Sequence, residues 1–252
     1  MLISPFLMLP SIFLISLVLT MVGLGGGLFF SPLFVLLHMP APVAVSASLF
    51  LNGSAAASAA YVYYRKKMID FSVSLPLLLT SSVAAPAGAF LTARVDLRFF
   101  LGIMGCVILL AGVRMFFSPA AEDDLVRVPR RRKILRGGLL GLVIGFMAGL
   151  LGIGGGVFVV PLLIYSLRVP TRTAAASSIF IVCFSSFTGF VTHASLGNTD
   201  WPFVLLAGLF SFAGGQAGSR IMSERLKAKP IRVIFGVILL LLSVRIFLRA
   251  FS

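Results

Sequence analysis

Apolar runs separated by short polar turns organise the whole chain, at residues 2–37, 43–64, 71–93, 97–117, 134–167, 173–196, 202–222 and 233–248. Most of them match the ~20 residues that a helix needs to cross hydrocarbon. A membrane strand would be about 10 residues long with alternating polarity, and no such alternation is present. The pattern therefore predicts a polytopic helical membrane protein. The first and fifth runs are longer than one span, and each is interrupted by glycines: Gly23, Gly25, Gly26 and Gly27 in one, Gly152, Gly154, Gly155 and Gly156 in the other. Consecutive glycines weaken a helix and leave backbone groups unpaired, which a membrane tolerates only inside protein or beside a polar cavity.

The two breaks belong to one duplicated pattern. An offset of 129 residues carries Gly23 through Leu33 onto Gly152 through Leu162, proline included (Pro32 and Pro161). Farther on, an offset of 130 pairs Ala44 with Ala174, Ser48 with Ser178, Asp70 with Asp200 and Phe71 with Trp201; an offset of 131 pairs Arg114 with Arg245. Three segments follow: a first repeat at 1–117, a charged linker at 118–133 and a second repeat at 134–252. Breaks at matching places in two repeats are the best sequence pointer to a transporter's central site.

Charge then discriminates between two topologies. The short pieces after the glycine motifs, Leu28 to Leu37 and Val157 to Leu167, are about 15 Å long as helices, too short to cross upright. If each forms a hairpin with the helix before it, crossings per half are odd and the repeats are inverted; if the pair crosses once, the repeats are parallel. Loop arginines and lysines collect on the cytoplasmic side. The odd count divides them seventeen to four and the even count twelve to nine. The expected fold is all-α, with two inverted-topology repeats, each a glycine-broken helix hairpin followed by three transmembrane helices. Both termini are expected outside, and the linker, with Glu122, Asp123 and Asp124 ahead of Arg130 to Lys133, in the cytoplasm beside anionic lipid.

Composition agrees with this and removes competing classes. Hydrophobic residues make up 59% of the chain, charged residues 11%, and mean hydropathy is +1.10, which excludes a soluble globular domain. A net charge of +14 could suggest nucleic acid, but the basic residues sit in loops between spans, so no nucleic-acid partner is expected. No basic residue precedes the run from Leu2, which reads as a retained helix and not a cleaved leader. Cys106 and Cys183 stand alone and read as packing residues. Two separated histidines and seven scattered acids supply no catalytic constellation, metal site or cofactor site, so an enzyme is not expected.

Candidate binding residues are Gly25, Gly26, Gly27, Gly154, Gly155 and Gly156, whose amides at helix ends can meet an anion. Close helix packing is the alternative use of these glycines. Ser48, Asn52 and Ser178 lie on the helices that follow the motifs and can hydrogen-bond anion oxygens; otherwise they tie helices together. Asp70 and Asp200 read as helix caps, and His193 as a structural histidine. No Asp, Glu, Lys or Arg falls at mid-span, so an ion-coupling carboxylate is not evident.

These residues carry a resemblance. The duplicated GxGGGxxxxPL pattern, the Ala/Ser-rich helix after it, and the turn with Asp before an aromatic resemble the TauE/SafE sulfite exporters, also known as toluene sulfonate uptake permeases. The resemblance spans both repeats. It implies a multi-pass secondary carrier of small anions, such as sulfite or organosulfonates, in the bacterial cytoplasmic membrane. Export is the expected direction; uptake of another small organic anion and a non-transporting accessory role are the alternatives. Oligomeric state is not legible.

Overall fold

The computed structural model describes residues 5–92, 94–116, 130–165, 167, 169–225, 237, 240–248 and 250. Within them the ordered elements are helices: α1 (Pro5–Val22), α2 (Gly27–Leu36), α3 (Ala41–Arg65), α4 (Phe71–Thr92), α5 (Leu97–Phe116), α6 (Arg130–Leu151), α7 (Gly156–Tyr165), α8 (Thr171–Ser195) and α9 (Trp201–Arg225). Residues 240–248 are also helical. The stretches 41–65, 71–92 and 172–195 are long and apolar enough to cross a membrane, and shorter apolar helices run at 8–21, 27–36, 97–110 and 137–151. Most of the linker lies outside the described residues; its last four residues open α6.

Local sequence explains the boundaries. Both α3 and α8 start immediately after a proline, Pro40 and Pro170, which cannot extend a preceding helix. Asp70 caps α4, its Oδ1 accepting from the Ser72 amide at 3.0 Å and from the Ser72 hydroxyl at 2.6 Å. Asp200 caps α9 more weakly, accepting from the Phe203 amide at 3.3 Å. Both act as the sequence predicts. Asp96 does the same for α5, accepting from the Arg98 amide at 2.8 Å, and no repeat pairing pointed to it. Removing such a cap costs about 1 kcal/mol. Asp70→Ala should therefore lower the melting temperature in detergent by a few degrees and Asp200→Ala by less, with equal losses contradicting the geometry.

The two halves are interleaved. α1 packs against α9 and α6 against α4, so the first helix of each half lies on the fourth helix of the other. α3 and α8 pack on each other at the centre; α3 also meets α9, and α8 meets α4. Exchanging α1–α4 for α6–α9 reproduces every one of these pairings. Around this core, large apolar side chains point outward at matched places: Leu75 and Leu79 on α4, Leu205 and Leu209 on α9. Contiguous exposed apolar surface of this kind is stable against lipid.

Small residues allow the closest approaches. Gly137, Gly141, Gly145 and Gly149 recur every four residues along α6, and a Cβ at Gly145 or Gly149 would fall on the Ser81 or Ala85 carbonyl of α4. The fourth helices contribute as well, at matched places: a Cβ at Gly88 of α4 would fall on the Phe146 carbonyl of α6, and one at Gly218 of α9 on the Leu17 carbonyl of α1. Backbone contact of this kind drives helix association where lipid supplies no hydrophobic force.

Three polar contacts show which helix ends share a side. Lys66 Nζ, just after α3, meets Glu224 Oε1 near the end of α9 at 3.1 Å. The Asp70 amide, before α4, donates to Ser177 Oγ near the start of α8 at 3.0 Å. Ser46 Oγ, near the start of α3, lies 2.8 Å from Thr199 Oγ1, past the end of α8.

Candidate functional site

The two glycine loops meet at the centre of the molecule, each held against the other. A Cβ added at Gly27 would fall 2.7 Å from the carbonyl oxygens of Gly152 and Ile153, and one at Gly156 would collide with the Leu24 carbonyl. The close approach is reciprocal, because Leu24 and Ile153 are repeat images. Gly27 and Gly156 thus serve packing. All of Gly25, Gly26, Gly27, Gly154, Gly155 and Gly156 are buried.

Between the loops stands the side chain of Asn52, from α3. A Cβ at Gly25 would strike its Oδ1, and one at Gly154 its Nδ2. Gly25 and Gly154 have φ of +70° and +73°, where a side chain is strained in any case. Asn52 is fully buried; its Nδ2 donates to Ser186 Oγ on α8 at 2.8 Å, while its Oδ1 has no hydrogen-bond partner. Its repeat image is Val182, which packs 3.2 Å from the Cβ position of Gly25. One polar amide therefore bridges both loops, and its counterpart is apolar.

The paired serines also part ways. Ser48 Oγ donates to the Gly152 carbonyl at 2.7 Å and lies 3.3 Å from that of Gly27. Ser178, its image on α8, is equally buried but its hydroxyl has no partner. Ser31, which sequence reading did not single out, donates to the Leu151 carbonyl at 2.5 Å and ties α2 to the end of α6. The glycines differ as well: Gly26 is α-helical (φ −79°) as the N-cap of α2, whereas Gly155 has φ +77°.

Electrostatically, the crossing is a place of donors without cations. The amides of Gly25, Gly26, Gly154 and Gly155 find no backbone acceptor among the described residues, and α2 has no side-chain cap. Two short helices thus begin here, α2 and α7, each presenting the positive end of its dipole. Among the residues whose burial is described no Asp, Glu, Lys or Arg side chain is buried, and among the described residues no three His, Cys, Asp or Glu side chains gather as a metal site.

His193 is explained by the repeat. Its Nε2 lies 3.4 Å from the Gly149 carbonyl, and its image Tyr63 donates to the Thr20 carbonyl, the image of Gly149, at 3.2 Å. Both side chains fasten a central helix to the last turn of α6 or α1. The structural reading of His193 is the one this geometry favours.

A family model described as sulfite exporter TauE/SafE matches residues 8–246. The chain belongs to the TauE/SafE family. Among TauE/SafE relatives, a "Probable membrane transporter protein YunE" of Bacillus subtilis is 25% identical over 246 residues, covering 88% of this chain and 90% of the relative. A "Probable membrane transporter protein" of Xylella fastidiosa is 24% identical over 254 residues, covering 95% and 93%. A shorter match, 34% identical over 106 residues, joins 40% of this TauE/SafE chain to 17% of "Probable membrane transporter protein MamO" of Paramagnetospirillum magneticum. No solved structure matches. As a TauE/SafE member with apolar helices of crossing length, the chain is an integral membrane transporter.

Proposed function

We propose that this transporter exports sulfite or a related organosulfur anion across the bacterial cytoplasmic membrane, by alternating access of two inverted halves around the glycine crossing. The observation that carries the reading is the crossing itself: two helix N-termini, unpaired amides and the unpartnered Oδ1 of Asn52 and Oγ of Ser178, both side chains buried, with no buried cation among the residues whose burial is described. Such a set suits a weakly held anion that must leave again. Amide donors and dipole ends lower the cost of bringing an anion into low dielectric, while the lack of a buried lysine or arginine avoids trapping it. The family description names sulfite exporters. The segments 1–117 and 134–252 are the two repeats of that arrangement and 118–133 the cytoplasmic linker between them.

Three contacts support the inverted arrangement. A parallel arrangement would put Lys66 and Glu224 on opposite sides of a hydrocarbon layer about 30 Å thick, yet they are 3.1 Å apart. The Asp70–Ser177 and Ser46–Thr199 contacts likewise join ends that an inverted arrangement places together. The loop-charge distribution points the same way.

Export of an anion needs no buried carboxylate, since a negative interior favours its exit by about 2.3 kcal/mol per charge per 100 mV. Proteoliposomes loaded with labelled sulfite, sulfoacetate or a carboxylate control should show saturable sulfur-anion flux that follows an imposed potential. Flux equal to that of empty vesicles would overturn the reading. In a background lacking Cys106 and Cys183, cysteines at Lys66 and Glu224 should cross-link and both react from the cytoplasmic side. Labelling from opposite sides would rule out the inverted topology.

A further inference from the structure

We infer that the substrate site is one-sided, built on the first glycine loop at the N-terminus of α2, and that it takes an oxyanion carrying one hydrogen. The inference rests on the anion-transport reading above and narrows it.

A duplicated chain offers the same positions twice, so differences between images reveal where polarity is reserved. At the second loop the polar groups are engaged. Ser48 donates to Gly152, and Asn52 Nδ2, beside Gly154, donates to Ser186. At the first loop they are free. Asn52 Oδ1 rests against Gly25 with no partner, and Ser178 Oγ has none either, although both side chains are fully buried. On α8, Ala175 meets Gly23 and Val182 meets Gly25. Ser178 falls between them, three residues after one and four before the other, and so shares their face.

Buried polar atoms without partners are rare in stable proteins and call for a reason. Here two of them, from opposite halves, belong to the Asn52 side chain at Gly25 and to the face of α8 that meets this loop, whose amides Gly25 and Gly26 are also unbonded, at the start of a ten-residue helix. A ligand that fills this set satisfies all of them at once. Its chemistry follows from the atoms. The amides only donate, and so favour oxygen lone pairs and negative charge. The Ser178 hydroxyl can donate or accept. Asn52 Oδ1 can only accept, so the ligand must present a hydrogen to it. Hydrogensulfite does so; the sulfite dianion and a fully ionised sulfonate place a lone pair against a lone pair.

The test is sulfite efflux from proteoliposomes, measured as KM and kcat at pH values on either side of the second ionisation of sulfite, with methanesulfonate as a competitor that has no acidic hydrogen. Wild-type KM should be constant when expressed as hydrogensulfite, and methanesulfonate should compete poorly. Ser178→Ala should raise KM about 10- to 100-fold, the loss of one hydrogen bond to an anion, without lowering thermal stability; Asn52→Leu should raise KM as much but also lower thermal stability, because Ser186 loses the Nδ2 donor. Ser178→Cys serves if Ser178→Ala fails to accumulate. Ser48→Ala should instead chiefly lower thermal stability, with a much smaller rise in KM. Equal KM shifts for Ser48→Ala and Ser178→Ala would overturn the one-sided site, and methanesulfonate competing as well as hydrogensulfite would overturn the hydrogen requirement. Absence of any wild-type sulfite flux is a distinct result and would overturn the export reading beneath it.

Discussion

Gly156→Val is expected to abolish recovery of folded protein, and Gly27→Val to come close to it. The added Cβ at Gly156 meets the Leu24 carbonyl, and at Gly27 the carbonyls of Gly152 and Ile153. These are backbone atoms of the opposing loop, which cannot rotate aside as a side chain can. Overpacking a rigid site costs about 1–3 kcal/mol or more, and here it also drives apart the contact that joins the two halves. Size-exclusion profiles and thermal shifts in detergent measure the effect. Gly102→Ala is the control, since nothing lies within 4 Å of its Cβ position. Monodisperse Gly156→Val protein with a wild-type melting temperature would show that the loops do not cross as described.

The second large effect is expected along α6. Gly145→Val should separate α6 from α4, because its Cβ would overlap the Ser81 carbonyl; Gly218→Val should do the same between α9 and α1 at the Leu17 carbonyl. Both variants should lose thermal stability, each by driving a side chain into the facing helix's backbone at one of the two matching interfaces. Gly138→Ala, one residue from the ridge, meets only the Thr80 methyl at 3.7 Å and should be neutral. Tolerance of Gly145→Val with intolerance of Gly138→Ala would mean that the helix presents a different face.

Why some of this was legible in the chain and some was not follows from the range of the interactions. The starts of α3 and α8, two residues before the apolar runs at 43 and 173 begin, are written locally, in Pro40 and Pro170; the breaks before α2 and α7 are written in their glycines, and the pieces expected from Leu28 and Val157 begin one residue earlier. The caps at Asp70 and Asp200 are equally local. The four-residue spacing of Gly137, Gly141, Gly145 and Gly149 was also present as a signal, overshadowed by the more conspicuous glycine motifs. The partner of each helix is another matter. Nothing near Ser16 announces that its hydroxyl lies 2.7 Å from that of Ser211. At the candidate site, Ser48 and Ser178 are the same residue in the same repeat context, and only three-dimensional surroundings make one engaged and the other free. Sequence symmetry therefore proposed a symmetric site, and packing divides it.

The interleaving of the halves also sets an order of events during synthesis. Ser16 and Ser211 are separated by 195 residues, which a ribosome adding about 5–20 residues per second needs about 10–40 s to make. Until then α1 is in the bilayer without α9, its Ser16 hydroxyl lacking the Ser211 partner, and α4 waits in the same way for α6. The newborn first half is thus a set of inserted but unmated helices. The second half acts as its assembly template, and a chain truncated before α9 should be a substrate for membrane quality control even though every helix of the first half is already inserted.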